Sequence, residues 1–431
     1  MARSLGLDFG TTNTVLAQAD ADGRVAPIAF EFQSAPLSAL RSALCFWHDS
    51  HAGTAMEAGP WAIAHYIDDP GDRRFIQSLK TFAANPSFSG TVIYGNSYRF
   101  EDLLAAYFGR LLEHAGKPLA SLPRRLVVGR PVRFAGGTPD AGLAKGRYEA
   151  ALRRFGFDEI RFVYEPVAAA FFFAQRLKGD ATVLVADFGG GTTDYSVMRF
   201  EVSNGAIRAR PLSHSGVGIA GDSFDYRIID QVVSPQLGMG TLYRSMGKTL
   251  EMPKSYYANF ARWNLLSIMK TTKEFRDLKQ LVRFSLEPKL LEQFVELIDS
   301  EQGYSLYRAV SKTKEALSSV DETTFEFAVP GTRINATVTR RAFEGWIEGD
   351  LARIEHALDE ALTKAKVDAA QVDRVFLTGG TSFVPAVRRL FESRFGAAKI
   401  EAGDEHVSIA KGLALIGEQD NIEQWTADAA D

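Results

Sequence analysis

Two stretches of the chain repeat one pattern, and this repeat constrains the possible fold more than any other feature of the sequence. The first stretch covers residues 4–17 and the second covers residues 183–198, about 180 residues later. Each contains an apolar run, the triplet Asp-Phe-Gly, a short break with paired threonines, and a second run rich in apolar residues. Such a pattern predicts a β-hairpin at each place. Two matched hairpins in turn predict a duplicated half-molecule.

Both hairpins carry groups that can bind phosphate. Their glycines leave backbone N–H groups open to the close approach of an anion, and their threonine hydroxyls add donors. In the alignment of the two copies, Asp8 corresponds to Asp187 and residues 11–12 correspond to residues 192–193, with two extra glycines in the later copy. These aspartates would repel phosphate unless a cation such as Mg²⁺ lies between. An ordinary glycine-rich turn with solvated aspartates is the alternative.

The composition is that of a globular protein, with 431 residues, 46% apolar residues and a net charge of −4. This weak acidity gives no reason to expect nucleic acid or an anionic membrane as a partner. Cys45 is the single cysteine, which suits a reducing compartment. The N-terminus leads directly into a strand, and the longest apolar run, residues 166–174, is too short to span a bilayer. We therefore expect a soluble cytoplasmic protein.

Periodicity and turn signals predict further elements along the chain. Helices are predicted at 73–82, 101–116, 144–155, 165–177, 226–233, 258–280, 289–298 and 341–365. Strands are predicted at 126–129, 160–164, 325–329, 334–338 and 375–378. The segment before Gly216 is predicted not to be a buried strand, so the literal G-x-G-x-x-G at 216–221 lacks the context of a dinucleotide site.

The two hairpins resemble the phosphate-binding hairpins of the actin, Hsp70 and sugar-kinase superfamily, and the Hsp70 branch fits best. Its Asp-Leu-Gly-Thr-Thr and Asp-Leu-Gly-Gly-Gly-Thr-Phe-Asp patterns are similar to residues 8–12 and 187–194. The segment from Glu165 to Ala170 resembles the Asn-Glu-Pro-Thr-Ala-Ala-Ala motif of that family. The Lys-x-x-Leu-Ser helix corresponds to residues 314–318, and the Gly-Gly-x-Thr-Arg-x-Pro loop to residues 379–385.

The resemblance implies an α/β protein with the actin/Hsp70-type ATPase fold, in which two lobes with duplicated mixed β-sheet cores enclose a nucleotide cleft. Lobe I would cover residues 1–178, with a peripheral subdomain at about 36–100. Lobe II would cover residues 179–431, with an enlarged peripheral subdomain at about 222–318. The region 235–310 is the part with no familiar motif, and its Tyr256, Tyr257, Phe260 and Trp263 look exposed in the sequence, where a client or partner would contact them. The alternative is that this region packs on itself as a helical pair. No peptide-binding β-sandwich is expected after Gly417.

The resemblance also implies site residues for ATP, ADP and Mg²⁺. Asp8 and Asp187 would hold Mg²⁺ through water. The implied catalytic residues are Asp8, Glu165, Asp187, Thr192 and Asp194. The implied nucleotide-binding residues are Gly10, Thr11, Thr12, Asn13, Gly189, Gly190, Gly191, Thr192, Thr193, Gly221, Asp222, Lys314, Glu315, Ser318, Gly379, Gly380, Thr381 and Phe383.

Three positions depart from the Hsp70 pattern. The arginine that stacks on adenine falls at Phe383, and a glutamate of the adenosine helix falls at Ser311. Lys80 matches the lysine of an Ile-Lys-Arg-Leu segment, and the catalytic lysine is expected about 15 residues earlier, where the chain has His65 and no lysine. A neutral imidazole is a poor substitute for a fixed cation, so slow ATP hydrolysis is expected.

Three functions are compatible with these motifs. The first is a chaperone-like ATPase with a client protein or co-chaperone as its partner. The second is a kinase that transfers the γ-phosphate to a small acceptor, and the third is an actin-like filament former. The order of the Lys-x-x-Leu-Ser and Gly-Gly motifs favours the first.

Overall fold

A computed structural model describes residues 4–19, 24–49, 53–69, 73–116, 121–203, 206–261, 269–270, 272–300, 302–401 and 407–427. The chain divides into two compact units. Unit 1 contains residues 1–65, 77–221 and 352–431, and unit 2 contains residues 66–76 and 222–351. The residues of each unit make most of their contacts within that unit. This division does not test the predicted lobe boundary at residue 178, which stays a prediction.

Two mixed β-sheets form the centre of unit 1, and they have the same strand order. In the first sheet the order is Glu159–Tyr164, Arg125–Arg130, Ser4–Phe9, Asn13–Ala19 and Val25–Pro27, with Leu40–Arg41 also paired to the fourth strand. In the second sheet the order is Ile400–Glu401, Arg374–Thr378, Ala181–Phe188, Thr193–Ser203 and Ala206–Val217.

The pairing directions repeat as well. In each sheet the first three strands are parallel, and the central strand then begins an antiparallel hairpin. This repetition confirms the predicted duplicated, mixed-sheet α/β fold. The central strand Ala181–Phe188 is buried along its whole length, which explains its run of apolar residues.

Two helices between the sheets hold the core of unit 1 together. The helix Glu165–Ala174 packs on the second sheet, the helix Ser408–Gly417 packs on the first, and the two helices contact each other. Their approach depends on glycine, because a Cβ atom on Gly412 would lie 1.8 Å from the carbonyl oxygen of Ala168. Small side chains at this crossing therefore fix the helix that begins at Glu165.

Within the residues that the structure describes, further α-helices belong to both units. They are Gly59–Asp68, Phe100–His114, Ala141–Leu152, Gly221–Ile228, Lys254–Phe260, Lys273–Leu281, Pro288–Asp299, Gly303–Leu317, Arg340–Ala365 and Pro385–Phe395. The remaining strands are Phe30–Phe32, Ala35–Leu37, Ala43–Asp49, Gly53–Ala58, Arg73–Gln77, Thr91–Ile93, Asn96–Tyr98, Leu242–Ser245, Lys248–Glu251, Glu322–Val329 and Thr332–Thr339. The last two form the hairpin predicted at the turn around Gly331, whose φ of 77° suits glycine.

Two predicted elements were wrong. The segment predicted as a helix at 73–82 is a strand, Arg73–Gln77, followed by a 3-10 turn, Leu79–Phe82. The spacing of its apolar residues, at positions 75, 76, 79 and 82, fits a helical face, so packing rather than local pattern sets the strand and the turn. The segment before Gly216 belongs to the strand Ala206–Val217, which pairs antiparallel with its neighbour. That antiparallel pairing still differs from the parallel context of a dinucleotide site.

The enlarged region packs its aromatic residues inward. Tyr256 is 9% exposed, while Tyr257 and Phe260 are fully buried, so the expectation of an exposed aromatic surface at these residues was wrong. Tyr257 and Phe260 both contact the ring of Phe294 on the helix Pro288–Asp299. Trp263 lies outside the described residues. Among the described helices, none is both long and apolar enough to cross a membrane.

Candidate active site

The two central hairpins close with the same turn. The N–H of Gly10 donates to the carbonyl oxygen of Asn13 at 2.9 Å, and the N–H of Gly189 donates to that of Thr192 at 2.9 Å. Both turns therefore contain four residues, and the expectation of two extra glycines in the second copy was wrong. Thr11 and Thr12 correspond to Gly190 and Gly191, because strand register rather than residue type sets the alignment.

The residues just after the turns anchor the hairpins. Thr14 and Thr193 occupy equivalent positions, and both are buried. The Thr14 hydroxyl lies 2.8 Å from the hydroxyl of Ser42, and the Thr193 hydroxyl donates to the carbonyl oxygen of Ile219 at 2.7 Å. The Thr193 side chain is therefore engaged with the protein rather than directed at a ligand.

Asp8 and Asp187 lie at equivalent ends of the two central strands. Burial, followed by the negative charge of Glu165, raises the pKa of Asp8 to about 7, although Lys80 opposes this shift. Burial, followed by the charges of Glu165 and Asp8, also raises the pKa of Asp187 well above its usual range. The two aspartates and Glu165 therefore form one electrostatic cluster inside unit 1.

A buried lysine lies in this cluster. The Nζ atom of Lys80 is 2.5 Å from Oε1 of Glu165, and both residues are less than a tenth exposed. Burial alone would lower the pKa of Lys80, but the charge of Glu165, together with Tyr148 and Asp8, outweighs burial and raises it. Lys80 is therefore a fixed cation at neutral pH.

The structure therefore brings a lysine into the cluster, although none stands at the position near His65 that sequence spacing indicates. His65, which sequence spacing placed at the catalytic lysine, lies in the helix Gly59–Asp68 and stacks on Trp47 with ring centroids 4.3 Å apart. The sequence matches Lys80 to a lysine of the Hsp70 pattern but does not indicate a catalytic role for it. The only signal in the sequence is that Lys80 lies among the apolar residues Leu79 and Phe82, all three of which the structure buries.

Glu165 is positioned by the start of its helix. The strand Glu159–Tyr164 leads directly into it, and Pro166 follows at a position where proline favours helix initiation. Gly129 on the neighbouring strand makes room for the side chain, since a Cβ there would lie 3.0 Å from Cγ of Glu165. Sequence reasoning identified Glu165 and missed Gly129.

Asp194 is held by backbone donors. Its Oδ1 accepts from the N–H of Val132 at 2.8 Å and from the N–H of Arg133 at 3.1 Å. Burial, followed by Glu165, raises its pKa to about 7, and hydrogen bonds from Thr192 and Arg133 partly oppose this. Gly216 lies close by, since a Cβ on it would be 2.4 Å from Oδ1. Asp194 is thus fixed within the cluster.

The Gly379 loop approaches the second hairpin. Gly379 has a φ of 83°, and a Cβ on it would lie 2.0 Å from the carbonyl oxygen of Phe188, so only glycine fits. The Thr381 side chain is buried, whereas Phe383 is 50% exposed and presents an open ring. Gly380 begins the 3-10 turn that carries Phe383.

The other implied adenosine residues lie in unit 2, apart from Gly221 at the end of unit 1. Lys314 and Ser318 are at the end of the helix Gly303–Leu317, next to Glu315. Nζ of Lys314 is 2.7 Å from Oδ1 of the buried Asp225. Burial, followed by Asp225, raises the pKa of Asp222 to about 7. The structure therefore brings Lys314, Asp222 and Asp225 together.

A family model described as Hsp70 protein matches residues 145–236 and 282–422, which is more than half of the chain. The chain is 24% identical to a protein named Chaperone protein DnaK from Deinococcus radiodurans over 437 aligned residues, covering 96% of this chain and 59% of that protein. It is 25% identical to the Chaperone protein DnaK of Thermus thermophilus, with 96% and 60% covered.

A third relative is the chloroplastic Stromal 70 kDa heat shock-related protein of Pisum sativum, which is 26% identical over 70% of this chain and 35% of its own length. The chain spans about 60% of the length of the two DnaK proteins. The duplicated sheets, the matched hairpins and the family model agree with the sequence resemblance. The chain belongs to the Hsp70 family.

Proposed function

We propose that this chain binds Mg-ATP and Mg-ADP and hydrolyses ATP slowly, as an Hsp70-type ATPase. The observation that carries the proposal is the buried Lys80–Glu165 ion pair in a cluster that includes Asp8, Asp187 and Asp194. One fixed cation among several buried carboxylates is suited to a reaction in which charge and position provide most of the catalysis.

The two hairpin turns would bind the phosphates. Gly10 to Asn13 and Gly189 to Thr192 have equivalent backbone shapes, and each offers N–H groups together with a threonine hydroxyl. Such turns bind anions through backbone dipoles. Thr193 would support the second turn through its bond to Ile219 rather than contact the ligand directly.

Lys80 and Glu165 would act on the transferring group and on water. The Nζ atom of Lys80 would donate to a phosphate oxygen as negative charge develops there. The Glu165 carboxylate would accept a hydrogen bond from the attacking water and orient it. Asp194, fixed by two backbone donors, is the second group that would orient water.

The carboxylates also fit a magnesium ion. Mg²⁺ prefers oxygen ligands and keeps several waters, so carboxylates hold it at a distance. Among the described residues, no three His, Cys, Asp or Glu side chains are grouped closely enough to bind a metal directly, and the contact that we propose is through water. Asp8 and Asp187 would hold the ion, and the bound ion would neutralise phosphate charge.

Adenosine would be recognised by two sets of residues. In unit 1 the exposed ring of Phe383 would stack on adenine, next to Gly379 and Gly380. In unit 2 Lys314 and Ser318 would contact the nucleoside, with Asp225 holding the lysine side chain. Gly221, Asp222 and Glu315 complete the proposed set.

A chaperone role with client proteins and a co-chaperone is the biological setting that we propose, since relatives named as chaperones match the chain. The comparisons do not favour a small-molecule kinase or a filament former. A cytoplasmic location, with neither nucleic acid nor membrane as a partner, is part of the same proposal.

Isothermal titration with Mg-ADP and Mg-ATP tests the proposal. We expect binding of both nucleotides, and Asp187→Asn should weaken the part of the affinity that depends on Mg²⁺. The exposed Asp69 provides a matched control, and Asp69→Asn should bind like the wild type. No heat with either nucleotide in a folded sample containing Mg²⁺ would refute the function.

A further inference from the structure

A cavity in unit 1 lies next to the Lys80–Glu165 pair but contains none of the proposed catalytic residues. It is narrow, since the space open to the centre of a water-sized sphere is about 10 Å³, and it is partly open to solvent. Side chains from two strands, the segment after Arg130 and the helix Ala141–Leu152 line it. The lining side chains are Arg130, Phe134, Ala141, Lys145, Tyr148 and Phe162.

The charge of the cavity is positive. Arg130 and Lys145 both line it, and no Asp or Glu does so among the described residues. The guanidinium of Arg130 lies over the rings of Phe134 and Tyr164, 5.5 Å and 5.1 Å from their centroids. These rings, together with the hydrogen bond that Nε of Arg130 donates to the carbonyl oxygen of Pro131 at 3.3 Å, restrict the guanidinium. A guanidinium recognises carboxylate or phosphate oxygens well.

A buried hydroxyl group in the lining of the cavity also indicates a ligand. Tyr148 is 3% exposed, and its hydroxyl is buried without a hydrogen-bond partner among the described residues. Buried polar groups in folded proteins almost always have partners, so an unpaired hydroxyl marks a place where a ligand or water supplies the acceptor. The rings of Phe134 and Phe162 line the same small space, which favours a compact ligand.

We propose that this cavity binds a small oxyanion, a phosphate or carboxylate group, through Arg130, Lys145 and the hydroxyl of Tyr148. Two cations and a neutral donor, with no carboxylate among the lining residues, are complementary to an anion that has several acceptor oxygens. The chemistry is the same for a free phosphate ion and for a carboxylate on a larger molecule.

An anion in this cavity would be coupled to Glu165 through Gly129. Gly129 also lines the cavity, and a Cβ on it would lie 3.5 Å from Oε1 of Glu165. Tyr148 is among the groups that act on the charge of Lys80. An anion here would place negative charge near the ion pair, so we expect it to change the rate of ATP hydrolysis. This second step rests on the proposed function, whereas the binding step does not.

Thermal unfolding with increasing sodium phosphate, compared with sodium chloride at equal ionic strength, tests the binding step. The samples contain no nucleotide and contain a chelator to remove Mg²⁺. A ligand that binds the folded protein raises the unfolding temperature in a concentration-dependent way. Sodium acetate in a parallel series shows whether a carboxylate is sufficient. We expect phosphate to stabilise the wild type beyond chloride.

Four variants locate the effect. Arg130→Gln removes a charge, and Ala141→Leu places a larger neutral side chain at the exposed edge of the cavity, so each should weaken the apparent phosphate affinity about tenfold or more. Arg176→Gln is the matched control, because Arg176 also stacks on two rings, Phe172 and Phe173, away from the cavity. Thr12→Ala tests whether phosphate binds at the hairpin turns instead.

The expected result is loss of the phosphate effect in the two cavity variants and its retention in Arg176→Gln and Thr12→Ala. Absence of a phosphate effect in the wild type would overturn the proposal. Loss in Thr12→Ala with retention in Arg130→Gln would overturn it too, since phosphate would then bind the hairpins. None of these readouts requires ATP hydrolysis, so they remain decisive if the proposed function fails.

Discussion

The Nζ atom of Lys80 lies 2.5 Å from Oε1 of Glu165, in a part of unit 1 that solvent hardly reaches. Each charge depends on the other, because removing one partner of a buried ion pair leaves an uncompensated charge, at a typical cost of about 3–5 kcal/mol. Tests of either residue therefore need a partner variant that restores the charge balance.

We predict that Lys80→Gln lowers ATP hydrolysis by about 10²–10³-fold, as expected when a preorganised group that stabilises developing charge is lost. Mg-ADP binding should persist, because the hairpin turns remain. Single-turnover hydrolysis measures the first effect and isothermal titration the second. The double variant Lys80→Gln with Glu165→Gln leaves no unpaired charge in the pair, so comparing the urea unfolding of the single and double variants shows how much of the loss in Lys80→Gln comes from destabilisation.

The control for that experiment is His65→Gln. His65 stacks on Trp47 and is not part of the carboxylate cluster, so its replacement should leave hydrolysis unchanged. A Lys80→Gln enzyme that hydrolyses ATP at the wild-type rate, or a large loss in His65→Gln, would contradict the assignment of Lys80.

The second prediction concerns pH. Burial and Glu165 raise the pKa of Asp194 from 3.8 to about 7. Below about pH 4 the carboxyl group of Asp194 is protonated in both the folded and the unfolded protein. Between about pH 4 and about pH 7 only the folded protein keeps this proton. The contribution of Asp194 to the free energy of unfolding therefore falls as pH rises from about 4 to about 7, and it stays low above pH 7.

The variant Asp194→Asn should remove this penalty while keeping an oxygen for the N–H groups of Val132 and Arg133. At about 1.4 kcal/mol per pKa unit, its nucleotide-free form should be more stable than the wild type by up to about 4 kcal/mol at pH 8, with little difference at pH 4. Urea unfolding across this range measures the difference. A pH-independent difference for Asp194→Asn would contradict the prediction.

The third prediction concerns the helix crossing. Gly412→Ala places a Cβ 1.8 Å from the carbonyl oxygen of Ala168, so the two helices must separate. Overpacking of this kind typically costs about 1–3 kcal/mol, and more where backbone must shift. Gly345→Ala in the helix Arg340–Ala365 is the control, since nothing lies within 4 Å of its Cβ and alanine favours helix.

Urea unfolding of both variants measures these changes. We expect destabilisation in Gly412→Ala and equal or greater stability in Gly345→Ala. Because the crossing fixes the Glu165 helix, Gly412→Ala should also slow hydrolysis. Unchanged stability in Gly412→Ala would mean that the helix crossing can relax without loss.

The fourth prediction concerns Phe383, which is 50% exposed. Stacking of a base on an aromatic ring is worth about 1–3 kcal/mol, so Phe383→Ala should weaken ATP binding about fivefold to a hundredfold. Inorganic triphosphate, which lacks a base, should bind the variant as it binds the wild type. Isothermal titration measures both ligands.

Phe284 is a matched exposed ring at 44% exposure, and Phe284→Ala should not change ATP affinity. Phe383→Arg should recover much of the loss, because a guanidinium can also stack on adenine. Equal losses for ATP and triphosphate in Phe383→Ala would indicate a general disturbance of the loop rather than stacking.

Much of the fold could be predicted from local pattern. Alternating and apolar runs identified the central strands, and the proline after Glu165 identified the start of its helix, because these signals act over a few residues. The segment 73–82 was mistaken for a helix, since its strand and 3-10 turn depend on packing that the local sequence does not encode.

The sequence by itself determined the family, the duplicated hairpins and the carboxylates Asp8, Glu165, Asp187 and Asp194, because residue types and order are enough to specify them. Only the tertiary structure decided which lysine joins them. Lys80 precedes Glu165 by 85 positions, and sequence spacing had instead pointed to His65. A long-range contact between two charges depends on how strands and helices pack, and the local pattern around either residue does not carry that information.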